Sequence, residues 1–154
     1  MYKDFEGKTG RVITARIMPE SDLLLEIKNI CQARNIETAF INTCIGSMKK
    51  MTFVYALKDE TRDYKIRYSE PVEMTGAIEF LGAQGIVAKD DDGNHQIHLH
   101  AQFSDEQMTV FGGHLLEEGN IVLATIDLII TEVLDVNIKR NYHEASGFYF
   151  FEPA

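Results

Sequence analysis

Residues 121–136 read Ile-Val-Leu-Ala-Thr-Ile-Asp-Leu-Ile-Ile-Thr-Glu-Val-Leu-Asp-Val, and this run decides the fold. Ile, Val and Thr are stiff at Cβ and fit a pleated strand better than a helix. Apolar residues on both alternating registers predict a long central strand buried on both faces. Such a strand needs neighbours, and the chain before it supplies them. Residues 95–103, His-Gln-Ile-His-Leu-His-Ala-Gln-Phe, follow the turn Asp90-Asp91-Asp92-Gly93-Asn94 and end at a polar turn over 104–107. Strands are expected near 74–81 and 83–88, broken by Gly82 and Gly85. Earlier ones fall at 11–18, at 38–45 closing on Gly46-Ser47, at 51–57, and at 64–68 after the charged turn 58–63. Phe148-Tyr149-Phe150-Phe151 gives a last strand, with aromatics on both faces.

One segment breaks the strand pattern. Leu23, Leu24, Ile27, Ile30, Cys31 and Arg34 recur at helical spacing, with Glu26, Lys28 and Asn29 opposite. Ser21 is the expected N-cap of a helix over 22–34, and Asn35 ends it. The expected fold class is therefore α+β, a largely antiparallel sheet with one main amphipathic helix. It forms one compact domain over residues 1–154, with its core over about 10–151.

Composition bounds the function. The 154 residues suit one domain, 45% of them are apolar, and 15 Lys and Arg against 24 Asp and Glu give a net charge of −9. That balance argues against bulk attraction to nucleic acid or anionic membranes. No stretch approaches the ~20 apolar residues of a membrane helix. Cys31 and Cys44 form no CxxC pair and sit in apolar segments, as buried reduced thiols do. The opening residues Met1-Tyr-Lys-Asp-Phe-Glu-Gly-Lys lack an apolar signal core. A cytoplasmic protein is the expectation.

The chemistry concentrates in histidines. His98 and His100 are two apart in a strand and so share a face. A hairpin at 104–107 brings Phe111-Gly112-Gly113-His114 alongside, so His114 can reach the same pocket. Three neutral imidazoles suit a divalent cofactor metal, zinc first, with a coordination position left for water or a ligand. Gly112 and Gly113 permit close backbone approach. His95 is out of phase and expected in solvent. Glu79 and Asp127 lie within apolar strands and are the candidate carboxylates behind the ligands. Nucleophile elbow, P-loop and dinucleotide fingerprint are all missing.

A cupin fits poorly, because its second motif needs a proline that Pro19, Pro71 and Pro153 cannot supply. The run Ile97-His-Leu-His-Ala-Gln-Phe-Ser-Asp, then Val110-Phe-Gly-Gly-His-Leu-Leu, then Ala124-Thr-Ile-Asp-Leu resembles the PPC (plants and prokaryotes conserved) domain. Arg16, Asp22-Leu-Leu, Cys44-Ile-Gly-Ser-Met, Gly76-Ala-Ile-Glu-Phe-Leu and Arg140-Asn-Tyr-His-Glu-Ala-Ser-Gly-Phe agree in order. The resemblance implies a homotrimeric α+β domain of the stand-alone prokaryotic type. It also implies a metal on His98, His100 and His114, and a sensory, regulatory or small-ligand-binding role. Arg140, at a family-matching position, is the candidate residue for a small anionic ligand. Two other readings remain. One is DNA binding, as in plant relatives with AT-hooks, although no Arg-Gly-Arg-Pro hook is present and DNA binding by this chain alone should be weak or nil. The other is a metal-dependent enzyme using metal-bound water.

Overall fold

Antiparallel strands account for most of the computed structural model, which describes residues 2–144 and 146–154. In chain order these are β1 (Lys8–Ile17), α1 (Leu23–Ala33), β2 (Ala39–Val54), β3 (Ala56–Lys58), β4 (Ile66–Tyr68) and β5 (Val72–Lys89). Then come β6 (His95–Ser104), β7 (Val110–Leu115), β8 (Ile121–Leu134), β9 (Ile138–His143) and β10 (Phe148–Pro153). Six of them form one sheet in the order β1-β8-β2-β5-β6-β7, with an added β2–β7 pairing. The strands β3–β4 and β9–β10 make two small separate ribbons.

The α+β expectation is corrected. With 61% strand and 7% helix, the protein is a β-rich fold carrying one short helix of 11 residues. Glycines read as strand breaks account for part of the difference. The expected pairs 38–45 with 51–57, and 74–81 with 83–88, each fuse into one strand, β2 and β5. Gly46, at φ 150°, sits where the β2–β8 register shifts, and a Cβ there would collide with the Thr125 carbonyl oxygen. A Cβ at Gly85 would collide with the His98 carbonyl oxygen of β6. These glycines let neighbouring backbones close up, and the ladders run on through them. The strand β9 was not expected at all.

β8 is central, between β1 and β2, as its composition predicts. Only one of its faces is sealed within the chain, however. Val122, Ile126, Leu128 and Ile130 are buried, whereas Leu123 and Asp127 on the other register are exposed. The helix packs on the sealed face through Leu23, Leu24, Ile27 and Cys31, over a core that includes Leu99, Phe103 and Leu128. Its N-cap is Asp22, one residue after the expected Ser21. Asp22 Oδ1 accepts from the amides of Leu24 and Leu25, and Oδ2 accepts from those of Gly119 and Asn120, so one carboxylate ties the helix start to the loop before β8.

Both cysteines are free and buried, and burial pushes the Cys31 thiol up to about 11 and the Cys44 thiol up to about 12. Both are inert protonated hydrophobes at neutral pH. No described helix is long and apolar enough to cross a membrane.

Candidate metal centre

Strand alternation builds the site. Along β6, Ile97, Leu99, Ala101 and Phe103 enter the core, so His98 and His100 stand on the opposite face of the sheet. β7 runs antiparallel to β6 with His114 directly opposite His100, which puts all three imidazoles on that face. β7 also pairs with β2, His114 lying opposite Val54. That second pairing demands a glycine. A Cβ at Gly113 would lie 2.7 Å from the Val54 carbonyl oxygen and 2.8 Å from Phe53 Cδ2. Gly113 thus brings β7 close to β2 at the residue next to the third histidine.

The ring nitrogens converge. His98 Nε2 and His100 Nε2 are 3.0 Å apart, His114 Nδ1 and His100 Nε2 3.4 Å, and one nitrogen from each ring lies within 4.8 Å of the others. Nitrogens about 2.0–2.1 Å from one tetrahedral zinc stand about 3.3 Å from each other, so the separations fit such an ion. The rings are also in the right protonation state. Burial, followed by the charges of Arg140 and His100, brings His98 down to about 4. Burial, followed by the other two histidines and Arg140, brings His114 down to about 3, and burial lowers His100 as well. At neutral pH each ring keeps a lone pair for a cation.

Aromatic rings from the two small ribbons stand beside the cluster. Phe151 of β10 stacks on His98 with centroids 6.2 Å apart, and Tyr68 of β4 lies 5.3 Å from His114 and 5.0 Å from Phe148. On the solvent side, a shallow open depression of about 520 Å³ is lined by His98, His100, Phe40, Ile86, Asn42 and Gln84. Tyr68 and Phe151 were not singled out from sequence as neighbours of the site. Their distance along the chain hides the contact, and no spacing rule reports it.

Arg140 is buried under the β9–β10 ribbon. Its Nη1 donates to the Ile97 carbonyl at 2.7 Å, and its guanidinium lies over the rings of Tyr149 and Phe151. The candidate carboxylates lie elsewhere. Glu79 is exposed, and Asp127 is exposed and ion-paired with Arg16 at 3.0 Å; neither joins the histidine cluster among the described residues. His95, expected in solvent, is half-buried at the start of β6 with Nε2 2.7 Å from the Ile36 carbonyl oxygen.

Comparison with known proteins agrees with this architecture. The profile of the Plants and Prokaryotes Conserved (PCC) domain matches residues 4–134. The chain belongs to the PCC domain family. The fold is that of a plant- and prokaryote-conserved protein from Pyrococcus horikoshii, which is 28% identical with a TM-score of 0.82, the alignment covering 100% of this chain and 99% of that one. A metal-containing protein from Archaeoglobus fulgidus is 21% identical with a TM-score of 0.82, over 98% and 99% of the two chains. A Bacteroides thetaiotaomicron protein provisionally described as DNA binding is 17% identical with a TM-score of 0.74, over 96% of each. Comparison with curated proteins found no match. The structural likenesses extend past the PCC profile to take in the β9–β10 ribbon and Arg140.

Proposed function

We propose that this PCC domain binds one divalent metal ion, zinc first, through His98, His100 and His114, and serves as a sensory, regulatory or small-ligand-binding module in the cytoplasm. The observation that carries this is the convergence of three neutral imidazole nitrogens on one sheet face, 3.0 and 3.4 Å apart. Neutral nitrogens facing each other this closely either share protons as hydrogen bonds or share a cation, and three histidines around one point favour the cation. Three protein ligands leave a tetrahedral ion one further position, and the open depression beside His98 and His100 gives a small molecule access to it. The metal-containing Archaeoglobus relative is in keeping with this reading.

The two competing readings have less behind them. A hydrolytic enzyme with a carboxylate base would need that base beside the ion, and Glu79 and Asp127 do not fill that place. For DNA binding, the nearest basic pairs of the sequence, Lys49-Lys50 and Lys139-Arg140, are already engaged. Lys49 is paired with Glu20, Lys50 with Glu73 and Lys139 with Asp91, while Arg140 is buried. Weak DNA binding or none is expected from the chain alone.

Metal analysis of untagged protein purified without added metal tests the proposal. The expected result is one zinc per chain, with His100→Ala losing it while keeping the β-rich circular dichroism. Wild-type protein that takes up no divalent ion would sink the assignment.

A further inference from the structure

We propose that Arg140 gives the histidine site a second point of recognition, and that the ligand it selects is a small carboxylate. The proposal rests on the metal-centre reading for one of its two contacts and on the guanidinium for the other.

Arg140 is 5% exposed, and a buried charge is costly unless it is paired. Its partners within the chain are one carbonyl and two ring faces. Nη1 donates to Ile97, and the rings of Tyr149 and Phe151 lie 5.1 and 5.8 Å from Cζ. Among the described residues Nε is buried with no hydrogen-bond partner, and no carboxylate forms an ion pair with the guanidinium. One N–H of Nη1 is thus used, and among the described residues neither Nε nor Nη2 makes a hydrogen bond. Those two N–H groups point the same way along one edge of the planar fork, the edge that grips both oxygens of a carboxylate.

The location links this edge to the histidines. Arg140 bonds the carbonyl of Ile97, the residue before His98, and Phe151 touches both the guanidinium and the His98 ring. A ligand with a localised, planar negative charge matches a cation fork beside a metal. A neutral ligand leaves the fork unpaired, and a cation is repelled by it.

The probe is acetate, titrated calorimetrically into zinc-loaded and metal-free protein, with Arg140→Met and Arg140→Lys variants. Methionine keeps the volume without charge, and lysine keeps the charge without the two-donor edge. The zinc-loaded wild type is expected to bind one acetate per chain, and both variants should keep zinc but bind acetate at least tenfold more weakly. Should Arg140→Met fail to fold, Arg140→Lys carries the comparison. Acetate affinity unchanged in a zinc-loaded variant, or no acetate binding by the zinc-loaded wild type, overturns the proposal. If the wild type takes up no metal, the metal-centre reading falls by itself. Arg140-dependent acetate binding to metal-free protein would then still support the guanidinium half, and its absence would overturn it. Light scattering of the variants distinguishes the remaining source of a carboxylate. A changed association state with unchanged acetate binding assigns the edge to a neighbouring copy and overturns the small-ligand proposal.

Discussion

At the scale of single residues, the buried carboxylate of the long strand is Glu132, and neither Glu79 nor Asp127 takes that place. Glu132 is in phase with Ile126, Leu128 and Ile130 and is 6% exposed. Arg11 answers it with Nε to Oε2 at 2.8 Å, Nη2 to Oε1 at 2.7 Å, and its backbone amide to Oε2 at 3.2 Å. Parity along the strand could have picked it out, because every second residue from Ile126 faces the core and Asp127 does not. The Arg11 hydrogen bonds hold Glu132 at about 2, below its ordinary 4.5. A depressed carboxylate contributes stability that is fully present above the ordinary value and is lost as pH falls through the folded one. Metal-free wild type should therefore lose thermal stability between about pH 4.5 and pH 2 more steeply than Glu132→Gln. Parallel melting curves for the two across that window would count against the pairing.

At the scale of elements, glycine position decides whether a ladder stops or continues. Gly82 and Gly85 read as breaks in the sequence, yet β5 runs unbroken from Val72 to Lys89. The reason at Gly85 is the His98 carbonyl oxygen, which sits where a side chain would begin. Because the obstacle is backbone, relief of a Gly85→Ala clash means moving β6, the strand that carries two of the three histidines. That substitution should cost about 1–3 kcal/mol, the range for overpacking, and weaken zinc affinity through displacement of His98. Denaturant titration and competitive zinc binding would measure both. Unchanged values in both would show that the β5–β6 approach is looser than described.

At the scale of the whole molecule, the sheet is covered by the helix on one face and by small ribbons over part of the other. The aromatics of residues 148–151, expected on both faces of the last strand, are used largely within the chain. Phe148 meets Tyr68, Phe150 meets Tyr64, and Phe151 meets His98. Tyr149 remains 47% exposed, and the central strands expose Ile45, Leu81 and Leu123 on the outward face at 47, 48 and 37%. An apolar row across neighbouring strands of a small domain favours cover by further copies. The homotrimer that the PPC resemblance implies would place them there. Light scattering should return a mass near three times 17.5 kDa, and a monomeric mass at micromolar concentration would refute it.

The sequence by itself determined the strand-rich antiparallel character, the single helix, the burial of Cys31 and Cys44, and the pairing of His98 with His100. Each of these follows from local periodicity, because a side chain's face is set by its neighbours two, three or four residues away. It also carried the PCC resemblance, which lies in the spacing of the HLH and GGHL runs. Only the tertiary structure decided that two pairs of strands are single strands, that β9 exists, and that Arg140 is buried with an unpartnered edge. It alone decided that Tyr68 and Phe151 stand beside the histidines. Those outcomes depend on which distant backbone or ring occupies the space next to a residue, and no short-range pattern encodes that occupant.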